Sequence, residues 1–86
     1  MRYTVIYEKI CEPTFEGEYY AHVPAFDLTT QGEGIEGAKA AAEDMVDAWI
    51  RSKLDDGEPI PPSDEDAFLG SIDVHIEAPH DAVQAA

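Results

Sequence analysis

Carboxylates are what this sequence has most of to offer a substrate or a partner. Nineteen Asp and Glu face five Lys and Arg in 86 residues, a formal net charge of −14. Acids gathered from separate strands and a helix hold the metal ions of two-metal nucleases. Glu8, Glu43 or Asp44, and Asp73 are the nominal members of such a set. None of them sits in a motif, and at this density of acids such coincidences are common. His22, His75 and His80 match no ligand spacing and read as surface residues. Cys11, the single cysteine, forms no intramolecular disulfide and no zinc site alone, and no histidine is placed in a motif with it. The expectation is a protein that is not an enzyme, with no catalytic residue, metal or cofactor.

The other chemistry open to an acidic surface is recognition. Affinity for nucleic acids comes largely from Lys and Arg neutralising phosphates, and this chain has few. Anionic membranes are disfavoured for the same reason. A basic protein is the favoured partner and a metal ion the lesser one, while surface acid also serves plain solubility. Tyr19 and Tyr20, flanked by Glu16 and Glu18, join aromatic anchors to carboxylates and are the candidate partner-binding residues. The plainer reading packs one tyrosine in the core and lays the other on a sheet face. Trp49 reads as core packing, and Asp64-Glu65-Asp66 as a solvated loop or part of a basic partner's footprint.

Four strands and one helix must position these groups. Tyr3, Val5 and Tyr7 alternate with Thr4, Ile6 and Glu8, which predicts a first strand over about 2–9. Pro13 and Gly17 mark a turn. A second strand is expected over 19–23, stopped by Pro24, and a third over 26–31, with short spacings that suggest an antiparallel meander. Ile35, Ala38, Ala42, Met45 and Trp49 recur at helical steps, widened by Ala41, Val46 and Ile50, so a helix is expected over about 35–54. Glu36, Lys39, Glu43, Asp47 and Arg51 form its polar face, with Asp47 and Arg51 paired at i,i+4. Gly34 is the expected N-cap and Gly57 the stop. Residues 55–70 read as an acidic, proline-rich linker that Ile60, Phe68 and Leu69 would pin to the core. Ile72, Val74 and Ile76 alternate with polar residues, predicting a fourth strand over 71–77, and 79–86 read as a flexible tail.

The fold class expected is therefore α+β, in the order β-β-β-α-β, as a single domain over 1–78. One helix covers one face of the sheet. The other face, partly apolar through Ile6 and a tyrosine or two, predicts a homodimer or higher homo-oligomer. Residues 1–10 contain no long apolar run, so neither a signal peptide nor a membrane span is expected and the cytoplasm is the expected compartment.

Read in order, several of these pieces resemble the HicB-like antitoxin family. They are Val5-Ile6-Tyr7-Glu8-Lys9, Tyr19-Tyr20-Ala21-His22-Val23-Pro24, Gln31-Gly32-Glu33, the Ala-rich stretch from Ala38 to Trp49, and Asp56-Gly57-Glu58-Pro59-Ile60-Pro61. The resemblance spans roughly residues 2–77. The chain departs from the family's pattern at Ala25-Phe26-Asp27-Leu28, at Gly34 where a hydroxyl or acid is usual, and in ending without the DNA-binding segment many members carry. The resemblance implies a partial RNase H-like fold without the nuclease's metal-binding carboxylates. It also implies homo-oligomers that neutralise a small basic RNA-cleaving toxin, here without direct nucleic acid binding. The rival readings are an orphan or structural domain of the same fold and, least favoured, a metal-dependent nuclease.

Overall fold

The computed structural model describes residues 1–77; residue 78 and the expected tail over 79–86 lie outside them. The elements among the described residues are β1 (Ile6–Lys9), β2 (Glu18–Val23), β3 (Leu28–Glu33) and α1 (Gly34–Asp55). The three strands form an antiparallel sheet in the order β1-β2-β3, followed by one helix, so the chain is of the α+β class. One-turn 3-10 helices, Pro13–Phe15 and Pro24–Phe26, make the two connections between strands.

The ladder explains where the strands begin. Tyr7 stands opposite Ala21 and Ile6 opposite His22, so continuing the register would set Thr4 against Pro24. Proline has no N–H to donate, and the pairing stops at Ile6 rather than at the expected residue 2. The same proline delays β3. Pro24 starts a tight turn, Asp27 takes a left-handed conformation with φ 52°, and its N–H bonds the Pro24 carbonyl at 3.1 Å. Phe26, expected to open the third strand, is thereby swung out of the sheet. Its ring instead sits between Tyr3 and Trp49, with centroids 4.6 and 4.8 Å away in edge-on geometry. Such pairs add to the area their rings bury.

Helix α1 packs against β3 and β2. The buried centre is Ala21 and Val23 from β2 with Ala38 and Ala42 from α1, flanked by Tyr3, Val5, Tyr7, Tyr19, Met45 and Val46. Small residues at this seam let helix and sheet approach closely. Gly32 and Gly37 meet closely there, and a β-carbon on Gly32 would collide with the helix backbone. Ile35 departs from the expected stripe and is 49% exposed. It lies in the first turn, immediately beyond the last ladder pair, Glu18–Glu33, where the sheet has ended.

The caps differ at the two ends. Gly34 is the first helical residue rather than the cap. Glu33 holds the cap position without a side-chain hydrogen bond, and Gly34 N–H bonds the Gly17 carbonyl at 2.8 Å. At the far end Gly57, with φ 70°, is the expected stop. Its N–H reaches the Leu54 carbonyl at 3.0 Å and Glu58 N–H reaches Lys53 at 2.9 Å, the paired bonds of a Schellman motif. Asp47 and Arg51 form the expected pair at 2.8 Å.

Beyond the helix the chain returns to the first strand's beginning. Arg2 N–H donates to Ser63 Oγ at 3.0 Å, Thr4 N–H to Asp64 Oδ1 at 2.6 Å, and the Tyr3 hydroxyl to the Pro61 carbonyl at 2.7 Å. This strap satisfies backbone that the sheet leaves unpaired. Ile60 is half-buried as expected, but Phe68 and Leu69 are exposed and pin nothing. Residues 71–77, where a fourth strand is expected, follow the strap without an assigned ladder partner. Among the described residues no helix is long and apolar enough to cross a membrane.

Candidate interaction surface

The register divides the four candidate residues between two faces. Residues directly opposite in an antiparallel ladder share a face, and neighbours along a strand alternate. Tyr19 lies on the helix side and packs beside the Ala21–Val23 core. Tyr20 points to the open face and is 39% exposed. The structure thus separates the pair as the plainer reading anticipated, and Tyr19 is a packing residue rather than an exposed anchor. Glu16 is exposed in the turn before β2, and Glu18 is half-buried at that strand's first position.

What surrounds Tyr20 follows from the same ladder. Glu8 of β1 and Gln31 of β3 stand opposite it. Two residues along β2, Glu18 stands opposite Glu33. Three carboxylates, Glu8, Glu18 and Glu33, therefore share the open face with Tyr20. The rest of its ladder positions are Ile6, His22, Thr29 and Gln31, so it carries no Lys or Arg. Lys9, next in sequence to Glu8, falls on the other side. His22 Nδ1 shares a hydrogen bond with Thr29 Oγ1 at 2.7 Å, which occupies one ring nitrogen within the sheet.

Directly opposed like charges destabilise a strand pair, and Glu18–Glu33 is such a pair. A cation brought by another molecule would relieve it. Elsewhere the acids are as little compensated: among the described residues only Asp47 and Glu58 are ion-paired, to Arg51 and Lys53. Glu8 and Glu33 were not singled out as partner-binding in the sequence, because their place beside Tyr20 depends on a register that spans residues 8 to 33.

The nominal nuclease set is not assembled. Glu8 is on the open face, Glu43 and Asp44 are exposed on α1, and Asp73 is exposed in the unpaired segment. Among the described residues no three His, Cys, Asp or Glu side chains come together where they would hold a metal ion. His75 is exposed beside Val74, His80 lies outside the described residues, and the Cys11 thiol is exposed and free.

The fold and its acidic face define a small α+β domain. No family model, curated protein or solved structure matches the chain.

Proposed function

We propose that this domain is an antitoxin-like protein that binds and neutralises a small basic RNA-cleaving toxin by masking its cationic surface. The observation that carries the reading is the open sheet face, where Glu8, Glu18 and Glu33 surround Tyr20 with no Lys or Arg among them. A surface of one sign steers an oppositely charged partner and discriminates against others. A half-exposed tyrosine within it is the kind of side chain that anchors an interface. An RNA-cleaving protein must present cations to its substrate, and this face competes for them. The resemblance to the HicB-like family, with its partial RNase H-like fold, supplies the class of partner. Under this reading the domain acts in the cytoplasm, as a homo-oligomer, without catalysis and without touching nucleic acid directly.

The test is co-expression with a short basic reading frame adjacent to this gene. The expected result is that the neighbour alone arrests growth, and that this chain restores growth and co-purifies with it. Association between the purified proteins is expected to slow steeply as salt rises. Replacing Glu18 and Glu33 together by Gln is expected to slow it at least tenfold at low salt. A toxic neighbour that is neither rescued nor bound would refute the proposal, as would an association rate indifferent to both salt and the double substitution.

A further inference from the structure

One edge of the sheet and one segment of the chain are both left open, and they match. Ile10 N–H donates to the Glu18 carbonyl at 3.0 Å, which makes that couple a hydrogen-bonded ladder pair. Alternation along an antiparallel ladder then turns Glu8 and Ile6 inward and leaves the N–H and C=O of Tyr7 and Lys9 on the outer edge of β1. The strap that serves Arg2 and Thr4 does not reach them. Beside this edge lies an open groove of about 690 Å3, between Tyr3, Val5 and Tyr7 on one side and Ala42, Val46 and Ile50 of α1 on the other. The helix covers β2 and β3 and leaves the groove unfilled.

The segment Ser71–Glu77 has the form of the missing strand. Ile72, Val74 and Ile76 alternate along its sequence and are 87, 68 and 73% exposed. Ser71, Asp73, His75 and Glu77 fall between and around them. Laid along the edge of β1, such a strand would set its three apolar side chains into the groove and its polar ones on the open face, in keeping with the two sides of the existing sheet. Within the chain this segment stands clear of the groove, since the strap ends at Asp64 and Phe68 and Leu69 beyond it are exposed as well.

We propose that two copies of this chain dimerise by strand exchange, the Ser71–Glu77 segment of each pairing with the outer edge of β1 in the other. A twofold arrangement fills both grooves and caps both edges at once, which an unpaired copy leaves undone. This assembly is independent of what the acidic face binds. The two are separable by salt: screening is expected to tighten the contact between two chains of charge −14 and to weaken encounter with a basic partner.

The experiment uses the full chain. Sedimentation equilibrium at tens of micromolar is expected to show a dimer. Val74→Pro, at an exposed position where folding does not depend on the side chain, is expected to raise the dissociation constant at least tenfold while the helical circular dichroism signal is unchanged. Mixed dimers identify the occupant. Unlabelled chains carrying a spin label at Asp73→Cys, in a Cys11→Ser background, are mixed with isotope-labelled unmodified chains. Broadening of the Tyr7–Lys9 amides of the labelled chains is the expected result. A monomer throughout, a dimer indifferent to Val74→Pro, or no broadening in the mixed sample while chains carrying both isotope and spin label broaden at their Tyr7–Lys9 amides would each overturn the proposal, the last by showing that the segment folds back on its own sheet.

Discussion

Gly32 of β3 and Gly37 of α1 meet backbone to backbone. A β-carbon on Gly32 would lie 2.5 Å from the Gly37 carbonyl oxygen and 2.6 Å from the Ala38 nitrogen, both part of the helix itself. The reverse is not true: a β-carbon on Gly37 meets nothing nearer than the Gly32 carbonyl carbon at 3.5 Å. The pair is therefore asymmetric. Gly32→Ala is expected to destabilise the fold by about 2–3 kcal/mol, since helix and sheet must move apart. Gly37→Ala is expected to stabilise it by roughly 0.5–1 kcal/mol through helix propensity. Urea unfolding of the two variants checks both signs.

The adjacent tyrosines are expected to separate stability from binding. Tyr19 packs against the buried centre, so Tyr19→Ala is expected to cost about 3 kcal/mol. Tyr20 stands on the open face, and Tyr20→Ala is expected to cost less than about 1 kcal/mol. In a binding assay the order reverses, with Tyr20→Ala weakening association with a basic partner and Tyr19→Ala acting only through loss of folded protein.

The strap from Pro61 to Asp64 is expected to contribute measurably. Tyr3→Phe removes the hydroxyl that donates to the Pro61 carbonyl, at a cost of about 1 kcal/mol. Asp64→Ala removes the acceptor of Thr4 N–H, at about 1–3 kcal/mol because the donor is part-buried. Asp64→Asn keeps an oxygen there and is expected to cost less. Amide exchange at Thr4 reports the difference: fast in Asp64→Ala, slower in Asp64→Asn.

Lys53 provides a pH test. Its ammonium donates to Glu58 Oε2 at 2.9 Å, and that hydrogen bond, followed by the carboxylate's charge, holds its pKa above the ordinary lysine value. A raised folded-state pKa means the pair's stabilisation is full below the ordinary lysine pKa and is lost as pH rises through the folded value. At neutral pH the pair is intact, so Glu58→Gln is expected to lower the Lys53 titration midpoint while leaving stability near neutrality almost unchanged, as for most surface pairs. A titration of the Lys53 side chain followed by nuclear magnetic resonance checks the shift.

How much of this was legible in the sequence depends on the range over which each cause acts. Alternation around Tyr7 and Tyr20, the helical repeat from Ala38 to Ile50, the Asp47–Arg51 pair and the stop at Gly57 are set by residues within about one turn or two strand positions of one another. Each could be read before any folding. The α+β class follows from them, because one helical stripe must cover one sheet face.

Other features arise only when distant segments align. Pro24 shortened β1 because the ladder set it against Thr4, twenty residues away. Ile35 lies on the helical stripe by spacing but is exposed because the sheet stops at Glu33. Phe26 left the third strand to join Tyr3 and Trp49. The acidic face shows the same division: the sequence by itself determined that the protein would be acidic and would carry a tyrosine pair on a strand. Only the tertiary structure decided that Tyr20 rather than Tyr19 faces outward, and that Glu8, Glu18 and Glu33 gather round it. The physical reason is that charge and side-chain alternation are local properties of the chain, whereas a register comes from closing two hairpins and seating a helix on the sheet they form.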